Sequence, residues 1–276
     1  MTVRGSRERD DRNIALADLR LDRPTPARMY DYFLGGKDNF QVDRDAADQL
    51  DEVAGRGTTF TVAWENRRFL QRAVACLAEA GIDQFVDIGA GLPTQGNVHE
   101  IAQRVNPAAR VAYVDNDPIV LSHGRALLAD DKTTRVFTAD MREPRAILTA
   151  PGLAGLIDFS RPVAVLFVAV LHFVRDDEDP YGIVGTFRAA MAPGSYLVLS
   201  HVTTDGPPTE ILARNERVYE GATSPSRARS RDEIARFFDG LDLLEPGLVR
   251  PGQWRPGPGQ EAATHFMYAG VGTKRA

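Results

Sequence analysis

Five apolar runs in this sequence stop at residues able to bind or transfer something. "QFVDIGAG" stops at Asp87, with Gly89, Ala90 and Gly91 behind it. "RVAYVDNDP" reaches Asp115, Asn116 and Asp117, "TRVFTADM" reaches Asp140 and Met141, "VAVLFVAVLHF" reaches His172, and "SYLVLSHV" reaches His201. In open α/β sheets ligands sit beyond the C-terminal ends of the strands, so polar groups at these ends would converge on one edge. Gly89 and Gly91 allow a sharp turn and a close backbone approach to a ligand. A helix expected to begin near Thr94 would point its free N–H groups into the same space. An acid ending the second strand, Asp115, can accept two hydrogen bonds from vicinal ribose hydroxyls. Asp140, ending the third, is placed to accept from the exocyclic amine of an adenine.

The glycine loop itself decides between two adenosine-bearing ligands. A dinucleotide fingerprint, G-x-G-x-x-G, needs a small third residue for close helix–strand packing. Counted from Gly89, that position is Thr94. A carboxylate at Asp87 would also repel an anionic pyrophosphate, whereas an ammonium group and a positive sulfonium favour one nearby. The pattern therefore reads as a site for S-adenosylmethionine rather than for NAD. His172 is a candidate general base beside a transferred methyl group; the competing reading is a satisfied histidine at a strand end. Asp117 precedes Pro118 and reads as a helix N-cap. No spacing of His99, His123, His172, His201 or His265 makes a metal motif, so no metal is expected.

The elements that must position these residues alternate between strand and helix from Gln84 onward. Strands are expected at 84–88, 110–115, 134–139, 161–169 and 195–202, and helices at 94–106, 117–129, 180–192 and 207–220. Ser230 and Glu233 form a capping box for a further short helix. Two more strands, at 241–249 and 264–272, have no helix between them and suggest an antiparallel hairpin at the sheet edge. Alternating βαβ units require a mostly parallel sheet covered on both faces. The continuous apolar stretch Val163–Leu171 fits a central strand of such a sheet. The expected fold is a doubly wound, seven-stranded, mostly parallel α/β sheet with an N-terminal helical extension. The extension covers 13–80, with helices at about 26–35, 43–53 and 62–80; a charged tail, 1–12, precedes it and the α/β domain runs 81–276. The segment after Gly35-Gly36 suggests a lid over the cleft, with Tyr30, Lys37, Asn39 and Phe40 facing the second substrate.

Composition narrows the function classes. A chain of 276 residues, 43% hydrophobic and 26% charged, can bury a full α/β core. A net charge of -5 gives no basic surface for nucleic acid. The single cysteine, Cys76, rules out an internal disulfide or a cysteine zinc cage and is expected to be a buried small side chain. Arg227, Arg229 and Arg231 are expected to be a solvated run. The charged start is unlike a secretory signal, and the longest apolar stretch is too short to span a bilayer. The cytoplasm is the expected location; the oligomeric state is left open.

The same segments carry a family resemblance. "VDIGAG", "VDNDP", "TADM" and "AAMAPGSYLVLSH" resemble the successive motifs of class I S-adenosylmethionine-dependent methyltransferases, with Ser195 in place of a second glycine. More narrowly, "DRPTPARMYDYFLGGKDNFQVDRDAA", "ENRRFLQRAV", "FVDIGAGLPTQGNVHEIA" and "YVDNDPIVL" are similar to the actinobacterial methyltransferase family DUF574, from about residue 20 to the end. The resemblance implies the fold and S-adenosylmethionine as cofactor, and no particular acceptor. It implies that Asp87, Gly89, Ala90 and Gly91 wrap the methionine end, that Asp115 and Asn116 hold the ribose and adenine, and that Asp140 and Met141 line the adenine edge. Pro93 departs from the general methyltransferase loop. Methyl transfer to a small molecule is the leading expectation. A non-catalytic binder of S-adenosylmethionine or its product, and a NAD(P) oxidoreductase, are the alternatives.

Overall fold

The computed structural model describes residues 21–93, 96–127, 132–258 and 264–275. The expected charged tail, the first part of the helical extension and the helix start at Thr94 lie outside them. Helix α1 (Pro26–Phe33) starts with Thr25 as N-cap, whose hydroxyl accepts from the Arg28 amide at 3.3 Å, and with Pro26 in the first turn. It stops where Gly35 takes φ +77. Helix α2 (Gln41–Ala54) follows, and α3 (Thr58–Glu79) crosses to the sheet.

A fully buried ion pair ties α1 to α2: Arg28 Nε lies 2.8 Å from Asp43, and neither side chain has any exposed surface. The Asp43 carboxylate also accepts from the amides of Thr25 (3.0 Å) and Phe40 (2.9 Å). One turn further on, the Asp31 carboxylate accepts from the Asp38 amide (2.9 Å) and the Asn39 side chain (2.8 Å). A Cβ on Gly36 would lie 1.9 Å from an Asp31 oxygen, which is why that position holds glycine. The YDYFLGGKDNF segment is thus a hydrogen-bonded knot that fixes α1 and α2.

The sheet has seven strands: β1 (Gln84–Ile88), β2 (Arg110–Asp115), β3 (Thr134–Thr138), β4 (Ala164–Val168), β5 (Tyr196–Val202), β6 (Asp242–Leu243) and β7 (Met267–Thr273). Their order is β3-β2-β1-β4-β5-β7-β6. The pairs among β1 to β5 are parallel, and β7 is antiparallel to both β5 and β6. Side chains alternate between two cores, as strand geometry requires. Phe85, Tyr113, Leu166 and Val198 face α3 and α4 (Val98–Val105), and α5 (Pro118–Leu127) follows β2. Val86, Val114, Val165, Phe167 and Leu199 face the opposite core, which includes Ile147 of α6 (Pro144–Thr149), Leu153 of α7 (Pro151–Ala154), Phe187 of α8 (Pro180–Ala190) and Ile234 of α10 (Arg231–Ala235).

Several expectations are corrected. Helix α4 begins at Val98, because Asn97 and Glu100 form a capping box there. Strand β4 stops at Val168 because Ala169 takes φ +55. The expected strand 241–249 shrinks to two residues plus a bridge from Val249 to Ala269; Pro246, which has no N–H, interrupts it. The expected antiparallel pairing of the last two strands at the sheet edge is present, with β7 between β5 and β6. The boundary drawn at residue 80 cuts a packed core: Phe69, Leu70, Ala73, Val74 and Leu77 of α3 share one cluster with the sheet, while α1 and α2 form a second one with Ala63 of α3. Cys76 is only partly buried, and its sulfur accepts from Arg255 at 2.8 Å. Ser195 replaces a glycine because its hydroxyl accepts from the Val163 amide at 3.1 Å.

Removing one member of a buried ion pair is far more costly than replacing both. Asp43→Ala should lower unfolding stability by about 3–5 kcal/mol, measured by denaturant titration. A loss under about 1 kcal/mol would show that the pair does not anchor α1.

Candidate functional site

The C-terminal end of β1 builds the site. The chain leaves Asp87 and Ile88 through Gly89, which has φ +70 and whose missing Cβ would stand 2.1 Å from a methyl of Val170. Both facts exclude any larger residue. The loop amides are committed to β2: Gly89 N and Ala90 N donate to Val114 O (2.7 and 3.3 Å), and Gly91 N donates to an Asp115 carboxylate oxygen (2.8 Å). A pyrophosphate loop keeps such groups free and puts a bare helix N-terminus beneath them. Here Glu100 closes the start of α4, accepting from the amides of Gly96 and Asn97, both at 3.0 Å. An acid in that position opposes an anionic ligand.

Two carboxylates stand at the loop. Asp87 is 5% exposed; burial raises its carboxyl to about 7, Arg67 of α3 opposes the shift and Asp115 adds to it. Asp115 is raised to about 6 by burial, although the amides of Asp117 (2.8 Å) and Gly91 donate to it. Each oxygen of Asp115 keeps lone-pair capacity for a further donor.

A cavity of about 230 Å³ opens over these strand ends. Its floor is Asp87, Gly89, Ala90, Gly91, Asp115, Asn116 and Met141. Its walls come from Tyr30 and Phe33 of α1, Asn66 and Arg67 of α3, His172 and Phe173 after β4, and Asn215 and Tyr219 of α9 (Thr209–Glu220). Of the expected floor residues only Asp140 is not brought in. Its carboxylate accepts from Arg142 through the backbone amide (3.0 Å) and the guanidinium (3.1 Å).

Of the four expected lid residues, Tyr30 lines the cavity, and its hydroxyl donates to Ala63 O at 3.2 Å. Lys37, Asn39 and Phe40 do not. Asn39 is spent on Asp31 and Arg44, and Phe40 is 41% exposed with Arg28 5.3 Å from its ring centroid. The wall is therefore α1 itself, and the loop that follows it serves to hold α1.

His172 sits in a 3-10 turn (Leu171–Phe173), 5% exposed, and its Nδ1 has no hydrogen-bond partner. Burial, then the neighbouring His201 and Arg229, keep it neutral far below the usual histidine range. Arg229 was expected in solvent but is almost completely buried. It donates to Leu171 O (3.2 Å), Val174 O (2.9 Å), Asp176 (2.7 Å) and His201 Nε2 (2.9 Å), so it fixes the turn that carries His172. Because Nε2 of His201 accepts, its Nδ1 carries the proton and donates to Val202 O. His201 is therefore a strut beneath the site.

Sequence reasoning missed Asn66, Arg67, Phe173, Asn215 and Tyr219. The clue for the first two was a polar pair interrupting the apolar stripe between Ala63 and Leu70 of α3; α9 offered none. Among the described residues no cluster of His, Cys, Asp or Glu could hold a metal ion, and no helix is long and apolar enough to cross a membrane.

A family model described as S-adenosyl methyltransferase matches residues 12–275. A candidate methyltransferase from Thermobifida fusca YX is 45% identical with a TM-score of 0.85, covering 94% of this chain and 97% of that one. A DUF574 family protein from Streptomyces avermitilis MA-4680 is 41% identical with a TM-score of 0.87, covering 93% and 99%. An O-methyltransferase family protein from Burkholderia thailandensis shares the fold at 14% identity and a TM-score of 0.53, covering 94% and 67%. Among curated proteins, 63 residues are 36% identical to ribosomal RNA small subunit methyltransferase H of Halorhodospira halophila, 23% of this chain and 19% of that protein. The chain thus matches about a fifth of that relative's length.

The buried carboxyls predict how the ligand-free protein responds to pH. The folded chain keeps protons on Asp87 and Asp115 up to about 7 and about 6, whereas the unfolded chain releases them near 3.8. These two groups therefore make stability fall as pH rises from about 4 to about 7. Asp87→Asn removes the larger effect and should raise Tm at pH 8 by at least about 2 °C. An unchanged or lower Tm would mean that Asp87 is not held against its desolvation.

Proposed function

The chain belongs to the S-adenosyl methyltransferase family, and on that premise we propose that its cavity holds S-adenosylmethionine across the ends of β1 and β2 and passes the methyl group to a small-molecule acceptor. The observation that carries the pose is the buried Asp87 beside Arg67, both lining the cavity. An amino-acid tail brings an ammonium group and a carboxylate together, and this acid–base pair offers a partner to each. Asp115 accepts from the ribose hydroxyls while Gly91 N and Asp117 N hold it in place. Asn116, Met141 and Ala90 border the adenine, and Asp140 contributes through Arg142 rather than by direct contact.

The bound donor supplies a methyl group on a sulfonium that leaves as a neutral thioether. The chain then has to align the acceptor with that methyl and shield the pair from water. Tyr30 and Phe33 on one side and Phe173 and Tyr219 on the other enclose the cavity for this purpose. If the acceptor atom is a hydroxyl oxygen, its proton leaves as the new bond to carbon forms. His172, held neutral, is the group on the wall able to take it. An acceptor of small size rather than a nucleic acid is supported by the net charge of -5. The proposed setting is the cytoplasm, where S-adenosylmethionine is made.

Calorimetry with S-adenosylmethionine and S-adenosylhomocysteine tests the pose. An ammonium group against Asp87 expels the proton the carboxyl carries below about 7. Affinity for both ligands should therefore rise from pH 5 to pH 8, with proton release seen as a buffer-dependent heat. Asp115→Ala removes hydrogen bonds to a charged acceptor, each worth about 1.5–3 kcal/mol, and should weaken binding at least about tenfold. Unchanged affinity would remove Asp115 from the ribose. Tight binding without methyl release to any acceptor would favour a binding protein over an enzyme.

A further inference from the structure

The charged residues on the cavity wall divide into two sets. Arg67, Asp87, Asp115 and Asp117 stand at the donor end, and Arg142 is already in ion pairs with Asp140 (3.1 Å) and Glu178 (2.7 Å). The remaining described wall, from α1, the turn after β4, α9 and residues 223–226, has no formal charge once His172 is neutral. Among the described residues no guanidinium or ammonium group is left there to receive a carboxylate or a phosphate.

That uncharged wall is aromatic and has two polar gaps. His172 packs on Phe173 with ring centroids 4.3 Å apart, and Phe173 packs on Tyr219 at 5.4 Å. Asn215 lies one turn before Tyr219 on the same face of α9. The four side chains thus form one continuous strip along the cavity. At its ends, Nδ1 of His172 and Oδ1 of Asn215 are buried atoms without a hydrogen-bond partner. A buried polar atom left unsatisfied costs about 1–3 kcal/mol, so two in residues of one cavity point to a ligand that satisfies them. The amide oxygen can only accept, so the ligand must donate to it. Val218 and Tyr219 of α9 pack against the cluster formed by α1 and α2, which seats the helix so that Asn215 and Tyr219 line the cavity.

We propose that the methyl acceptor is a neutral, planar aromatic compound with two hydrogen-bond donors, at least one of them a hydroxyl, lying along the Phe173–Tyr219 strip between His172 and Asn215. This rests on the function proposed above and deepens it by naming the acceptor class. The ring gains stacking against Phe173 and Tyr219. The hydroxyl donates to His172 Nδ1 and the second donor to Asn215 Oδ1. On transfer, the hydroxyl oxygen forms its bond to the methyl carbon, the carbon–sulfur bond breaks with its electron pair on sulfur, and the hydroxyl proton passes to His172. The positive charge thereby moves from sulfur to imidazole with nothing else consumed.

The test is calorimetric binding to the full-length protein saturated with S-adenosylhomocysteine, using 2,7-dihydroxynaphthalene as probe. Naphthalene-2-sulfonate, which keeps the ring but adds a charge, and cyclohexane-1,3-diol, which keeps the donors but loses the ring, are the comparators. The dihydroxynaphthalene should bind at least about ten times more tightly than either. Asn215→Leu and His172→Phe should each weaken it at least about tenfold while leaving S-adenosylhomocysteine affinity within about twofold, which also shows that the variants fold. Equal or tighter binding of the sulfonate or the alicyclic diol overturns the proposal. So does probe affinity that neither substitution changes, or no probe binding while S-adenosylhomocysteine binds. Failure of S-adenosylhomocysteine itself to bind the unmodified protein would instead overturn the donor pose.

Discussion

Strand β1 is buried along its whole length and lies between β2 and β4, so the chain leaving it can only rise through the gap between their C-terminal ends. That confinement sets the site. The path passes Val170 so closely that only glycine fits at 89, and the loop amides fold back onto Val114 and Asp115. A loop with its donors turned inward cannot cradle phosphates. What it leaves facing the cavity is acid, and acid held out of water asks for a cation and for hydroxyl groups.

The same enclosure sets stability against function. Asp87 and Asp115 retain their protons well above the ordinary carboxylate range because nothing in the protein fully replaces the water they lose. Such groups persist in a fold when a ligand provides the missing partner. Ala169, a non-glycine residue at φ +55 where β4 ends, belongs to the same pattern. It turns the chain so that Val170 closes on Gly89 and His172 reaches the cavity, and Ser200 holds its amide through backbone and hydroxyl oxygens at 3.2 and 2.9 Å. Local strain of this sort is commonly concentrated at functional sites.

The N-terminal helices complete the enclosure. Helix α3 is a full member of the sheet's core and delivers Asn66 and Arg67 to the cavity, while α1 is held over the opening by Asp31 and by the Arg28–Asp43 pair. The most distinctive stretch of sequence, around Gly35-Gly36, therefore works at one remove. It sets the position of Tyr30 and Phe33, which touch the cavity, and does not itself line it. On the opposite wall, buried Arg229 does comparable work for the turn that carries His172.

Sequence alone was enough for what depends on local chemistry and periodicity. Alternating runs gave the parallel sheet, residue types at strand ends pointed to Asp87, Gly89, Gly91 and Asp115, which line the cavity, and the acid before the glycines argued for a cationic ligand over a dinucleotide. These were legible because a strand's end and its direction follow from a few neighbouring residues. Tertiary structure alone decided which polar groups are spent on the protein itself. Asp140 is taken by Arg142, Asn39 by Asp31 and Arg44, and His201 by Arg229. Arg229, indistinguishable in sequence from a solvated neighbour, is buried because four acceptors from distant segments meet around it. Asn215 and Tyr219 face the cavity because α9 is folded across strand ends remote from it in the chain. A hydrogen bond is satisfied in space, and its partner's place in the sequence carries no trace of it.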